Sequence, residues 1–320
     1  MTALALQACI TLPPISSPSR RGDLTLEVVR EAESIWTTEQ VLMIPLTGLV
    51  NQRGRGGLAR QQGMLVRLKD RLDAARESDR IKAVVVRIDS PGGSVTASDL
   101  IHHELMAFKE ETGLPVVALL GDVAASGGYY VAMAADEIYA VPTCITGSIG
   151  VIMALPSLQE LGRKIGFEMR VVKSGRHKDS GSMWRRLDTE SRVIFQTLID
   201  DYYRRFADIV LDSRAEAGLT SETMAQLADG RVFNAQTALD ARFIDAVAYP
   251  DAAYDRACEM AGLDDCAVVS YEYPGDVRGH VYAGAPGTPG GGGDVNLLKL
   301  DLGGVGDALT EPRFHYLWIP

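Results

Sequence analysis

Cysteine is scarce: four among 320 residues, with no CxxC pair. Cys9, Cys144, Cys258 and Cys266 therefore lack the spacing of a structural zinc site. Cys258 and Cys266 could join in an oxidising compartment, although spacing alone does not establish a bond. The five histidines (His102, His103, His177, His280, His315) are scattered. Adjacent His102 and His103 point to different sides of a helix, which suits surface residues better than ligands. Basic charge is in deficit, the net charge being −10 with acids and bases interspersed; a nucleic-acid partner would want a basic face. No run approaches the roughly 20 apolar residues that span a bilayer. No internal repeat is visible, and no residue pattern calls for a cofactor.

What is present suits a globular protein: 46% apolar and 23% charged residues, in a chain long enough for one large domain or two small ones. The first 35 residues read as leader and linker. Within them Leu6-Gln7-Ala8-Cys9 resembles a bacterial lipobox, in which Cys9 would carry lipid. An export signal also has a basic start and an apolar run of about 7–15 residues, and both are missing or cut short here. Two readings stay open: the remnant of a lipoprotein signal, placing the chain at the bacterial cell envelope with a membrane surface near, or a disordered tail on a cytoplasmic protein.

Residues 36–275 read as an α/β domain. Continuous apolar strands are expected at 41–50, 82–89, 115–120 and 137–142. Helices are expected at 57–78, from about 97 to 111, and in a short piece opening at Ser126. Buried strands alternating with helices imply a sheet covered on both faces. A long amphipathic helix follows over 189–216, capped by Asp188 or Thr189 and ended by Gly218. Its stripe of Phe195, Leu198, Ile199, Tyr202, Phe206, Ile209 and Val210 reads as core, with Tyr202-Tyr203 a candidate contact for a partner subunit. Shorter helices at 221–228 and 234–241 and a strand at 243–249 complete the domain. Residues 276–320 hold a Gly-rich linker, AGAPGTPGGGGD, and an apolar tail ending FHYLWIP. Such a tail should bury itself in a substrate groove, on a neighbouring subunit, or as a last strand of the home sheet.

Two Gly-containing turns each follow a buried strand: Asp89-Ser90-Pro91-Gly92-Gly93, and Gly121 to Gly128 around Ser126. Parallel neighbouring strands would bring both to one sheet edge, where α/β sites form. Gly127, directly after Ser126, and Gly93 could each direct a backbone N–H at one developing oxyanion. Neither GxGxxG nor GxxxxGK[ST] occurs at these turns, so a phosphate cradle is not indicated. Each turn alone could be a plain structural turn; the pair in this order is less ordinary.

The stretches DSPGGSVTASD, GDVAASGGYYVAMAADEIYA, TGSIGV (146–151) and GRVFNAQTALDARFIDAV (230–247) stand in one order. In that order they resemble the bacterial signal peptide peptidase A (protease IV) family, single-domain type. The family lies in the Clp protease/crotonase-like superfamily, with stacked β-β-α units and a helical C-terminal part. The resemblance implies a serine endopeptidase without cofactor, acting on remnant signal peptides or other apolar peptides. By the same resemblance Ser126 is the nucleophile, and Lys178, in Ser174-Gly175-Arg176-His177-Lys178-Asp179, is the base. Ser148 of TGSIGV helps hold the lysine, and the amides of Gly93 and Gly127 form the oxyanion hole. It further implies a homo-oligomer in which Lys178 completes a neighbour's site. A lysine base must be neutral, hence dry; Asp179 is therefore expected to turn away, toward backbone or Arg176. His177 is the rival base. The rival functions are a crotonase-type acyl-CoA enzyme and a non-catalytic peptide-binding scaffold.

Overall fold

The computed structural model describes residues 24–51, 62–273 and 314–318. In chain order the elements are β1 (Thr25–Arg30), β2 (Gln40–Thr47), α1 (Met64–Arg76), β3 (Ile81–Ser90), β4 (Gly92–Ser94), α2 (Val95–Thr112), β5 (Val116–Ala125) and α3 (Gly127–Ala132). There follow β6 (Glu137–Ala140), β7 (Ile145–Gly147), α4 (Gln159–Lys164), α5 (Thr189–Ser213), α6 (Ser221–Leu227) and β8 (Val232–Asn234). The last are α7 (Ala235–Asp240), β9 (Ala246–Val247), α8 (Pro250–Met260), β10 (Ala267–Glu272) and β11 (His315–Leu317).

A nine-stranded sheet runs β1-β10-β2-β3-β5-β6-β9, with β7 pairing both β5 and β8. The pairings β2–β3, β3–β5, β5–β6 and β5–β7 are all parallel. The class is thus mixed α/β with a parallel-rich sheet, as the alternation of apolar strands and helices implies. Alternate residues of the central strands enter different cores. Leu42, Ile44, Val84, Val86 and Ile88 pack with α1, α2 and α3. Val41, Met43, Ala83, Val85, Val117 and Leu119 pack with Ala253, Tyr254 and Ala257 of α8. Each fully buried Val or Leu contributes about 1.5–3 kcal/mol, so these strands anchor whatever their ends carry.

Several ends follow local chemistry. Ser94 caps α2 by accepting from Ala97 N, and Gly113 ends that helix at φ 68°. Asp188 caps α5 through a 2.7 Å bond from Ser191 N. Other parts differ from the sequence reading. Residues 25–30, read as linker, form edge strand β1, antiparallel to β10. Helix α1 starts at Met64; residues 52–61 lie outside the described residues, as does Cys9. The strand at 243–249 shrinks to Ala246–Val247. Of the expected α5 stripe, Phe206 and Val210 are buried. Cys258 and Cys266 are free, buried thiols; burial, then a hydrogen bond to Cys258, pushes Cys266 up to about 12. Strand β11 does not join the large sheet: it pairs with β4 in a separate two-stranded sheet.

Candidate active site

Strands β3, β5 and β7 end side by side. Ser90 pairs with Ala124, and Ala125 with Gly147. Their parallel pairing puts the turn after each at one carboxyl edge of the sheet, so the two Gly-containing turns meet there. Ser126 leaves β5 at φ 53° and ψ −115°, then starts α3. Its N–H donates to Gly147 O at 2.7 Å, and its carbonyl accepts from Tyr130 N at 2.8 Å. Ser148, at the end of β7, also has positive φ, 52°, and its N–H donates to Arg231 O at 2.8 Å. Left-handed backbone is costly for residues with a Cβ and concentrates at functional sites; among the described residues, two of the three such residues are these serines. Both are buried.

The glycines are required by close approach. A Cβ at Gly93 would strike the backbone of Val50, whose carbonyl accepts from Ser94 N at 3.0 Å. A Cβ at Gly127 would meet Ser98 Oγ and lie 3.2 Å from Gly92 Cα and 3.0 Å from the carbonyl oxygen of Tyr316. The two turns therefore touch, and they close on one carbonyl oxygen. Gly92 N is already taken, donating to Ser90 Oγ at 3.1 Å.

That carbonyl belongs to β11. The strand lies between two backbones. On one side it is antiparallel to β4, with Tyr316 opposite Gly93. On the other, Ile152 and His315 exchange bonds of 3.0 and 2.9 Å. An antiparallel ladder exchanges bonds at every second pair. Trp318 N donates to Pro91 O at 2.8 Å and Val95 N to Phe314 O at 3.4 Å. The intervening Tyr316–Gly93 pair is thus also an exchanging one, which sets Gly93 N–H on Tyr316 O.

Behind Ser126, Tyr130 of α3 donates to Asp99 of α2 at 2.6 Å, and Arg205 of α5 donates to the same oxygen at 2.9 and 2.7 Å. Burial alone would raise the Asp99 carboxyl; the bonds from Tyr130 and Arg205 outweigh it and hold the group below its ordinary value. His102, expected at the surface, instead turns an edge to Tyr130 with ring centroids 5.5 Å apart. Burial lowers its pKa to about 4. The helical spacing of His102 from Asp99 (i, i+3) was the signal for this inward placement.

Lys178 lies elsewhere in character. It is exposed, in a stretch between α4 and α5 without regular structure, and among the described residues it makes no side-chain hydrogen bond or ion pair. Asp179 does turn away from it, but toward Lys173 at 2.6 Å and toward Arg185 rather than Arg176. Arg176 pairs with Glu190 at 2.6 Å. His177 is engaged as well, Nε2 with Glu190 at 3.0 Å and Nδ1 with Ser191 Oγ at 3.5 Å. Around this stretch Leu161, Ile165, Met169, Val171, Val172, Val193 and Ile194 are exposed. Tyr202 and Tyr203, candidates for a subunit contact, are used within the chain: Tyr202 packs edge-on against Phe314, and Tyr203 donates to Ala228 O at 2.7 Å.

The profile of peptidase family S49 matches residues 108–264. The slr0021 protein of Synechocystis sp. is 41% identical over 188 residues, 59% of this chain and 66% of that one. The chloroplastic serine protease SPPA of Arabidopsis thaliana is 36% identical over 212 residues, 65% of this chain and 30% of that protein. Protease 4 of Salmonella typhi is 35% identical over 189 residues, 59% of this chain and 30% of that one. The chain thus spans 66% of the first relative and 30% of each of the other two. Among solved structures, a ClpP1 mutant from Listeria monocytogenes superposes with a TM-score of 0.41 at 17% identity, covering 66% of this chain and 91% of that one.

Proposed function

Through residues 108–264 the chain belongs to peptidase family S49, and from that premise we propose that it is a serine endopeptidase with a Ser126–Lys178 dyad. One observation carries the reading: the turns of Gly93 and Gly127 converge on a single carbonyl oxygen of an extended strand beside Ser126. A peptide bound there as an added strand gains main-chain hydrogen bonds on both edges. Ser126 Oγ attacks the held carbonyl, and the two amides receive the negative oxygen. The amine of Lys178 takes the hydroxyl proton and returns it to the leaving amine. Water then releases the acyl group by the same path. Ser148 helps fix the lysine.

A lysine base must be dry to be neutral, and Lys178 is exposed in the single chain. We place it in a neighbour's site within a homo-oligomer. The exposed apolar side chains from Leu161 to Val172 and at Val193 and Ile194 support that placement, since large uncovered apolar surface marks an interaction site. His177 has both ring nitrogens engaged, by Glu190 and by Ser191, and is not the base we assign. The substrates we assign are apolar peptides, remnant signal peptides among them. The lipobox-like stretch at Leu6–Cys9 supports an envelope location.

The test is peptide turnover by the assembled protein. Ser126→Ala and Lys178→Ala each abolish it, and His177→Ala keeps most of it. A fluorophosphonate labels Ser126, as neither an acyl-CoA enzyme nor a scaffold would require. Turnover that survives Lys178→Ala but not His177→Ala would replace the dyad.

A further inference from the structure

Strand β5 is not regular beside β3. Ile88 faces Leu120 and Ser90 faces Ala124, so two steps along β3 answer four along β5. Gly121, Asp122 and Val123 therefore stand against Asp89 alone, as a bulge just before Ser126. Strand β5 also changes its other neighbour there: residues 117–120 pair with β6, and residues 123–125 with β7. That change serves the site, because Gly147 of β7 takes the Ser126 N–H. Side chains alternate with a period of two, so the two extra residues leave Ala124 in the same core as Leu120. They give the chain the length to cross from β6 to β7.

A bulge leaves backbone groups without ladder partners, and each needs another partner. Asp89 supplies one. Its Oδ1 accepts the Asp122 N–H at 2.6 Å, a charge-assisted bond. Arg87, on the same face of β3, donates to Oδ2 at 3.3 Å. The Asp89 carbonyl accepts from Gly48 N at 2.9 Å. The carboxylate has room because residue 121 is glycine; a Cβ there would strike it. One side chain thus joins the end of β3, which leads into Gly93, to the end of β5, which leads into Ser126 and Gly127.

We propose that Asp89 is a positioning residue of this site: by holding the bulge it sets the Ser126–Gly127 turn against the Gly93 turn, and so the nucleophile against the oxyanion hole. This rests on the reading above that Ser126 attacks a carbonyl held by those two amides. Without the carboxylate the extra length of β5 has no anchor, and the Ser126 turn is free to shift. A misplacement of about 1 Å costs about 10²-fold in rate. A peptide strand is held by main-chain bonds to its neighbours, so the loss falls on kcat and spares KM.

The experiment measures turnover of an apolar peptide by the full chain, per site titrated with a fluorophosphonate. In Asp89→Ala, kcat per titrated site should fall at least about tenfold, with KM within about threefold of the wild type. Asp89→Asn keeps an acceptor for the Asp122 N–H and should restore kcat to within about threefold. Gly121→Ala displaces the carboxylate and should match Asp89→Ala; the double variant should be no worse than either single one. A residue that served only the fold would lower the number of titratable sites and leave the rate of each unchanged. Hydrogen exchange gives a readout apart from activity: the Asp122 amide should exchange at least about tenfold faster in Asp89→Ala, and the Ser126 amide faster as well. Should Asp89→Ala fail to fold, Gly121→Ala carries both measurements. An unchanged kcat per site, or an Asp122 amide that exchanges as in the wild type, overturns the proposal. A wild-type chain that neither labels nor cleaves would refute the peptidase reading, while faster exchange at Asp122 and Ser126 in the variant would leave the hold of Asp89 on the bulge standing.

Discussion

Two stretches of the chain supply the residues of the proposed dyad, and they are built differently. Residues 81–147 carry Gly93, Ser126 and Gly127 on the ends of parallel strands whose apolar side chains are almost wholly buried. Residues 153–188 carry Lys178 with a single short helix, α4, and mostly exposed side chains. The first stretch is held in place by its own chain's sheet, so Ser126 and the amides of Gly93 and Gly127 are organised without help. The second has a charged end and an apolar surface and lacks a cover. The dyad proposed above works only if something dries the lysine, and a second copy of the chain is the cover and the acceptor site we assign to it.

The largest effect comes from splitting that division between two proteins. Ser126→Ala and Lys178→Ala should each cut turnover by at least about 10³-fold. If each site takes its serine from one copy and its lysine from another, dissociating both variants and reassembling them one to one restores about a quarter of the wild-type sites. Activity that stays at background in the mixed assembly would return the lysine to its own chain's site, and with it the explanation of the exposed stretch.

Glycine substitutions separate the two stretches by stability. Gly93→Ala puts a methyl into the Val50 backbone, which should cost at least about 1–3 kcal/mol and lower peptide turnover about 10²-fold or more. Gly175 has open space around its Cβ position, so Gly175→Ala should change stability by less than about 0.5 kcal/mol. Thermal melts of the two variants side by side check this. Equal losses would mean that the lysine stretch is as tightly packed as the nucleophile's.

A smaller effect is expected at the exposed apolar side chains. Ile165 is 69% exposed and Val172 fully so. Ile165→Asp with Val172→Asp should leave the monomer's melting temperature within a few degrees while shifting sedimentation toward smaller species and lowering turnover at dilute concentration. An unchanged sedimentation profile would show that the assembly surface lies elsewhere.

The contrast also explains how much could be read beforehand. The turn glycines and Ser126 were legible because each follows an apolar strand such as Val84–Ile88 or Val116–Leu120, whose pattern is local. The capping of α5 by Asp188 was legible for the same reason, a polar residue beside a helical run. The place of the tail was not. Its apolar character was clear, but the pairing of Tyr316 with Gly93 joins residues far apart in sequence, and register across such a gap leaves no local periodic trace. Strand β1 was missed similarly, since Leu26 and Val28 face solvent and only β10 gives the segment a partner. The apolar stripe of α5 was read as core along its whole length, yet periodicity marks an apolar face without saying whether the same chain covers it. Around Phe206 the chain does so; Phe195, Leu198 and Ile199 are only half-buried, and Val193 and Ile194 beside them are exposed.

The last prediction concerns pH and belongs to the buried stretch alone. His102 of α2 lies against Tyr130, near the carboxylate of Asp99 and the cation of Arg205. Burial is the largest influence on it and favours the neutral ring, bringing its pKa to about 4 from an ordinary 6.5. Between those values the unfolded chain binds a proton that the folded chain refuses, so stability falls as the pH drops from about 6.5 toward 4. The loss is a few kcal/mol at most, and less where water reaches the half-buried ring. Asp99 works in a separate window: its carboxyl is held below the ordinary value, so its contribution persists to lower pH and is lost only under more acid conditions. His102→Gln removes the first effect and leaves the second. Between pH 7.5 and pH 4.5 the melting temperature of the wild type should therefore drop several degrees further than that of the variant. Equal drops would mean that the ring is open to protonation, and that the packing around Tyr130 is looser than the nucleophile's stretch otherwise requires.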